Sequence, residues 1–389
     1  MKKFTKALAL LLALAMVFAL AACSGTGDTD ELSGSNTNAA SGSSFAPVAK
    51  DKIKVGVIHI GNPKDTAGYT HAHDQGIVQM QNQLGLRDDQ IIRKNDVNDQ
   101  DKTAIETAIT ECIEEGCNII FGTSYGYMDT MEQLAAAHPD VIFSHCSGYK
   151  NNGKNLNNYF GRIYEARYLT GIAAGLKTKS NKIGYVAAQG SENPEVTGGI
   201  DAFALGVKSV NPNAKVYVKV TNTWFDPQKE KSAAISLLDA GCDVIAQHQD
   251  TAQPQIAAQE RNVWGCGYNS DMTAEAPKAH LTATIWNWGV YYTQAVQQVI
   301  EGTWTPTNYF DGMKEGLVGI SPLSENCAEG TKEAIDKAQA AIIDGTLKVF
   351  AGPLKDNTGK ERVKSGDYLK DDVIAGKLNW YVDNVVADK

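Results

Sequence analysis

The sequence predicts an α/β protein of two lobes with the same topology, each built on a parallel sheet, and three observations carry that reading. The first is a continuous apolar run of strand formers, IKVGVIHIG from Ile53 to Gly61. Such a run is the pattern of a strand covered on both faces, as in a parallel sheet. It breaks into the polar loop NPKDTAGYTHAHDQG and then into helical spacing from about Tyr69, with Ile77, Met80 and Leu84 on one stripe. The second observation is an echo of that opening: KIKVGVIHIG (Lys52 to Gly61) recurs as NKIGYVAAQG (Asn181 to Gly190). The third is a longer match, in which GCNII and GCDVI stand 125 residues apart, each inside the order helix, Gly-Cys, apolar strand, polar loop, helix, strand. Repetition of a βαβαβα half gives two lobes whose strand-end loops face each other across a cleft.

The elements follow in order. Lys2, Lys3 and Lys6 precede an apolar segment, Ala7 to Ala22, too short to span a membrane comfortably, and residues 1–22 read as a leader peptide. Small residues before Cys23 match a lipobox pattern. The expectation is cleavage before Cys23, lipid attachment to its sulfur, and anchoring at the outer face of a bacterial cell membrane. Residues 23–50, rich in Ser, Gly, Thr and Asn, read as a flexible tether. The first lobe takes residues 51–163, with second strand and third unit in DQIIRKNDVND (Asp89 to Asp99) and Glu111 to Cys146. Tyr159 to Ile163 reads as the crossing between lobes, and Ala166 to Lys177 as a helix with small residues on its packed face. The second lobe takes residues 164–283, with AKVYVKVTNTWFD (Ala214 to Asp226) and Ser236 to Asn269 as its matching units. Leu281 to Glu301 reads as a strand and an amphipathic helix that recrosses to the first lobe over about 284–306. Residues 307–350, with a helix over Ala328 to Asp344, return to the second, and 351–389 form an extension.

Cleavage before Cys23 would leave 367 residues with 33 basic against 45 acidic side chains, a charge of −12. That balance argues against nucleic acid and anionic lipid surfaces as partners. Cys112, Cys117, Cys146, Cys242, Cys266 and Cys327 show no CxxC or CxH spacing, so neither a zinc site nor any other cofactor is expected. Buried small hydrophobes is the reading of Cys117, Cys146, Cys242 and Cys266, although an extracytoplasmic place permits a disulfide.

In open α/β sheets, ligands sit beyond the carboxyl ends of the strands. Tyr69, Asp65, His71 and His73 all lie in the first such loop, and Trp224 lies in the second lobe's NTWFDP. A flat heterocycle is gripped well by aromatic rings, with stacking of about 1–3 kcal/mol per base. Tyr69 and Trp224 are the candidate faces. Asp271, Asn269, Asp250, His145, His248 and Ser124, all on strand-end loops, can read the ring edge. Each has a structural alternative: Tyr69 and Trp224 as loop or helix packing, Asp271 as a helix cap, and Trp286 and Trp288 as core. His71 and His73 form an HxH without a clear third metal ligand. Gly122-Thr123-Ser124-Tyr125-Gly126 matches G-x-S-x-G, a nucleophile-elbow string, but no HGGG-like oxyanion stretch accompanies it.

Several strings together resemble the basic membrane protein family of substrate-binding lipoproteins, whose fold is the type I periplasmic-binding-protein fold of two Rossmann-like lobes joined by a hinge. They are GNPKDTAGYTHAHDQG (Gly61 to Gly76), FSHCSGY (Phe143 to Tyr149), YFGRIYEARYLTGIAAG (Tyr159 to Gly175), NTWFDPQKE (Asn222 to Glu230), GYNSD (Gly267 to Asp271) and LNWYV (Leu378 to Val382). The resemblance implies a monomeric receptor for an ABC importer that closes on a purine, with an ABC permease as partner and no enzymatic activity. The family's nucleoside binders resemble DDKSFNQ in the first loop. Here Tyr69 stands at the Phe position and Thr70 where Asn is usual, while Ser144-His145 and TIWNWG (Thr284 to Gly289) lack the family's Asp and Lys. These departures put contacts to a ribose in doubt, so the expected ligand is a purine base, adenine first, or a purine nucleoside. The alternatives are a metal- or sugar-binding lipoprotein of the same fold, and a secreted hydrolase using Ser124.

Overall fold

The computed structural model describes residues 45–387. The expected leader, the lipidation site Cys23 and most of the tether lie outside the described residues. The apolar run at the start of the first lobe becomes β1 (Val55–Ile58), buried along its whole length. It is followed by α1 (Tyr69–Leu84), β2 (Ile91–Lys94), α2 (Lys102–Glu114), β3 (Ile119–Gly122), α3 (Met128–Ala137), β4 (Ile142–Cys146) and β5 (Leu156–Gly161). Local chemistry sets the breaks. Gly85 closes α1 in the left-handed conformation at φ 62°, and the Asp101 carboxylate caps α2 by accepting from the amides of Thr103 and Ala104.

The second lobe repeats the plan. Its elements are α4 (Ile163–Lys177), β6 (Lys182–Ala187), α5 (Pro194–Val210), β7 (Lys215–Val220), α6 (Pro227–Asp239), β8 (Val244–His248), α7 (Gln253–Glu260), β9 (Trp264–Asn269) and β10 (His280–Trp286). Asn193 and Asp226 cap α5 and α6, each with Pro in the first turn. Then come α8 (Gly289–Glu301), β11 (Tyr309–Asp311), β12 (Val318–Ile320), α9 (Thr331–Ile343), the short hairpin β13 (Leu354–Lys355) and β14 (Glu361–Val363), α10 (Asp371–Gly376) and β15 (Val385–Ala387).

Two sheets result, ordered β11-β5-β4-β3-β1-β2 and β12-β10-β9-β8-β6-β7-β15. Each contains the same parallel order, second-first-third-fourth-fifth strand of its lobe, which is the type I two-lobe architecture. Among the named pairings only β10 with β12 is antiparallel within these sheets. The duplicated GC strings begin the matching strands β3 and β8.

Three boundaries differ from the sequence reading, each for a physical reason. Tyr159 to Gly161 are not a crossing: they end β5, which pairs with β4 through Cys146 and Tyr159, and α4 starts at once after Arg162. Phe45 to Lys50 are not tether, because Phe45 packs edge-on to Trp304 at 5.7 Å and the Val48 amide donates to the Val299 carbonyl. The chain returns to the second lobe only beyond Asp311 rather than at about residue 307, since Tyr309 to Asp311 still pair with Tyr159 to Gly161 of the first sheet.

Helix α4 carries the small residues expected of it. A Cβ on Gly171 would stand 2.1 Å from the Phe203 carbonyl oxygen, and one on Gly206 2.0 Å from that of Tyr168, so α4 and α5 lie almost backbone to backbone. Cys112, Cys117, Cys146, Cys242, Cys266 and Cys327 are all free thiols. Among the described residues no helix is long and apolar enough to cross a membrane.

Candidate functional site

In each sheet the strand order reverses direction between the first and third strands of the lobe. The loops after β1, β3, β6 and β8 therefore open at the switch points where ligands of α/β folds lie. The two sets of loops meet. The Gly68 amide donates to the Ser270 hydroxyl at 3.0 Å, and Gly68, at φ 97°, leaves only 2.1 Å between its missing Cβ and the Asp250 carbonyl oxygen. Any side chain there would keep the lobes apart.

Tyr69, the first residue of α1, is half-buried, and its hydroxyl donates to the Cys146 thiol at 3.5 Å. Its ring meets His73 edge-on at 4.4 Å. His73 lies one layer behind: it is fully buried, stacks on Trp288 at 4.5 Å and bonds the Tyr292 hydroxyl at 2.6 Å. Trp288 stacks in turn on Trp286 at 4.2 Å, so both tryptophans are core that backs the cleft. From the other lobe, Trp224 is half-buried and sits edge-on to His248 at 5.6 Å. The Trp224 carbonyl accepts from the Asp250 amide at 3.1 Å. The Asp250 backbone thus touches Trp224 in its own lobe and Gly68, the neighbour of Tyr69, in the other.

Below them lies a polar cluster of the second lobe. Asp250 Oδ1 accepts from Asn269 Nδ2 at 3.0 Å. Burial, then the nearby Glu230 carboxyl, pushes the Asp250 carboxyl up to about 8. Glu195, in the first turn of α5, is pushed up to about 7 by burial, with the Arg167 guanidinium opposing. Its Oε1 stands 3.6 Å from Nε2 of His248, whose own affinity for a proton is lowered well below the usual range by burial and by Arg167. Arg167 is 1 % exposed; it donates to the Gln247 carbonyl at 2.5 Å and lies 3.8 Å from the centre of the Tyr268 ring. Nε and Nη2 of Arg167, both ring nitrogens of His248 and Oδ1 of Asn269 are buried without a hydrogen-bond partner within the described residues. Buried polar atoms are nearly always satisfied, and such a concentration of unsatisfied ones is what a polar solute would complete. Asn269 is itself held at φ 69°.

The remaining sequence candidates hold local bonds. Asp65 is exposed. Ser124 donates its hydroxyl to the Asp99 carboxylate at 2.7 Å, and the His145 imidazole faces the Ser124 carbonyl rather than its hydroxyl, so the serine and His145 do not form a nucleophile–imidazole pair. Burial lowers His145 to about 4. Asp271 accepts from the amide and hydroxyl of Thr273, turning its own loop. Of the predicted residues, then, Tyr69, Trp224, His248, Asp250 and Asn269 come together at the junction of the lobes. Among the described residues no His, Cys, Asp and Glu group is arranged to hold a metal. Beside the cleft, a groove of about 550 Å³ runs between α1 and the second lobe, lined by Gln75, Gln79, Asn82, Ser270 and Asn287 among others.

Sequence reasoning missed Arg167 and Glu195. Glu195 had a signal in the repeat, because SENPE follows β6 as GNPKD follows β1. Arg167 had a weaker one, a lone cation on the small-residue face of α4.

Two lobes joined through α4 and α8, with aromatic rings and unsatisfied polar groups at their mutual loops, define a protein that encloses a small solute. The family model of ABC transporter substrate-binding proteins, PnrA-like (Bmp), matches residues 52–348, and the chain belongs to that family. It is 39% identical over 337 residues, 87% of this chain and 94% of the relative, to a purine-binding protein of Brucella abortus (strain 2308). It is 36% identical over 285 residues, 73% of this chain and 71% of the relative, to a putative ABC transporter glucose-binding protein of Haloferax volcanii. Its fold is similar to that of an ABC transporter solute-binding protein from Conexibacter woesei, with a TM-score of 0.63 at 20% identity, covering 76% of this chain and 98% of that one.

Proposed function

We propose that this ABC transporter substrate-binding protein captures a purine base, adenine first, between Tyr69 and Trp224 as the lobes close. The observation that supports the reading is that the backbone of Asp250 meets the first lobe at Gly68, the residue before Tyr69, and donates its amide to the Trp224 carbonyl of its own lobe, so the two ring-bearing residues adjoin one seam. Asp250 and Asn269, with Glu195 and Arg167 behind them, supply edge contacts that reject solutes lacking the matching groups. The purine-binding relative supports the same choice. Delivery is to an ABC permease, by a monomer held at the outer face of the membrane through lipid on Cys23. Replacing Cys23 by Ser should move the protein from the membrane to the soluble fraction.

A sugar is the second reading, favoured by the name of the Haloferax relative. Calorimetric titration with adenine, hypoxanthine, guanine, adenosine and glucose separates the two. Saturable heat with adenine and none with glucose is the expected result. Binding of glucose alone would overturn the purine reading.

A further inference from the structure

Asp250 is the polar group common to both lobes' approach, and its two oxygens differ. Oδ1 accepts from Asn269 Nδ2, whereas Oδ2 makes no hydrogen bond within the described residues. The side chains whose charge bears on it come from every neighbouring element. Glu230 of α6 and Glu195 of α5 are both acidic, Tyr69 of α1 and Tyr268 of β9 are neutral phenols, and His248 of β8 is a neutral imidazole beside Glu195. The cation of the cluster, Arg167, lies over Tyr268 and is directed to the Gln247 carbonyl rather than to Asp250. An ionised carboxylate at this point would be acceptor-only and would stand in the field of two further carboxyls, those of Glu230 and Glu195, beside the seam where Gly68 meets the Asp250 backbone.

We propose that Asp250 meets the solute as a neutral carboxylic acid, with Oδ2–H donating to a ring nitrogen and Oδ1 accepting from the neighbouring exocyclic amine. The Asn269 amide assigns the oxygens: by donating to Oδ1 it fixes that atom as the carbonyl and leaves the proton on Oδ2. The matching ligand edge is an acceptor beside a donor, as on a 6-aminopurine. Edges with two donors, which a carboxylate would prefer, are the mismatch. The inference rests on the purine reading and adds a proton to it: closure on the ligand holds, or takes up, one proton at Asp250. The upward displacement of this carboxyl to about 8 agrees with that assignment.

The sign follows from linkage. On this assignment Asp250 carries its proton below about pH 7 and the donor is present; above about pH 8 the donor is lost and a charge faces the ligand's ring nitrogen. Adenine keeps one protonation state across this range, so the ligand adds no titration of its own. Adenine affinity of the wild-type protein should therefore fall about tenfold or more between pH 7 and pH 9.

Asparagine reproduces the neutral acid, with Nδ2 as donor and Oδ1 as acceptor, and cannot ionise. Calorimetric titration of adenine at pH 6, 7, 8 and 9 on wild type, Asp250→Asn and Asp250→Ala tests the proposal, with circular dichroism confirming that each variant is folded. The expected result is a falling wild-type profile, a flat profile for Asp250→Asn that crosses it and shows tighter binding at pH 9, and weak binding by Asp250→Ala throughout. Glu195→Gln should keep the fall between pH 7 and 9, separating that group from Asp250. A flat wild-type profile with tight adenine binding, or an Asp250→Asn variant weaker than wild type at pH 9, overturns the proton assignment and leaves the purine reading standing. Absence of binding by any purine at pH 6 overturns both.

Discussion

The amide of Gly68 in the first lobe donates to the hydroxyl of Ser270 in the second across 3.0 Å, and the carbonyl of Asp250 fills the space where a Cβ would be. At φ 97° and ψ −167° Gly68 occupies a region open almost only to glycine. Gly68→Ala should therefore act on closure. We expect adenine affinity to fall at least tenfold, and X-ray scattering to show no contraction on adding adenine. Unchanged affinity would mean that the lobes need not meet at this seam.

Trp224 and Tyr69 are tested separately, because they come from different lobes. Replacing either by Ala removes one stacking face, at a cost of about 1–3 kcal/mol. That corresponds to about 5- to 150-fold in the dissociation constant for adenine. Equal affinity of Trp224→Ala and wild type by calorimetry would remove that ring from the site.

Asp201 offers a stability test away from the cleft. It is fully buried on α5 and accepts from the Val382 amide through Oδ1, while Oδ2 has no partner within the described residues. Burial raises its affinity for a proton well above that of an ordinary carboxyl, with the Val382 bond opposing. A carboxyl raised on folding contributes stability that is present below its unfolded pKa and lost as pH rises through the folded one. Asp201→Asn keeps the acceptor and cannot ionise. Its melting temperature should exceed that of wild type at pH 7 by a few degrees and match it near pH 4, read by scanning calorimetry.

Glu195 gives a second pH signature with the same sign. Its ordinary value of 4.5 is pushed up to about 7, so its contribution is complete below about 4.5 and disappears as pH rises through about 7. His145, lowered from 6.5 to about 4, works oppositely, destabilising as pH falls from about 6.5 towards 4. The difference between wild type and Glu195→Gln isolates the glutamate. We expect the variant to gain in melting temperature relative to wild type as pH is raised from 5 to 7.5, and a constant difference would contradict the placement of Glu195 in a desolvated site.

The duplicated architecture was legible because it is written in short-range pattern: the buried run that becomes β1, its echo at β6, and the two GC strings at β3 and β8. Strand ends were less so. Tyr159 to Gly161 look like a connector, since only pairing of Tyr159 with Cys146 and of all three with Tyr309 to Asp311 makes them strand. In the site, the aromatic and amide groups next to glycine-rich loops stood out by type. Arg167 did not, because a cation in a helix normally marks a solvated face; here the close approach of α4 to α5 and the ring of Tyr268 enclose it. Ser124 and His145 were plausible by position, but their bonds are to Asp99 and to a backbone carbonyl.

The final strand has a bearing beyond the cleft. β15 lies alongside β7, pairing Val385, Val386 and Ala387 with Val216, Tyr217 and Val218. The opposite sheet ends on β2, where Arg93 and Lys94 engage Asp74 and Glu111 and supply the charge that discourages intermolecular strand addition. β7 is the more apolar margin, and it is the one that receives a cover. Trimming the polypeptide after Asn384 would uncover that border and turn a self-contained receptor into one prone to self-association through strand addition.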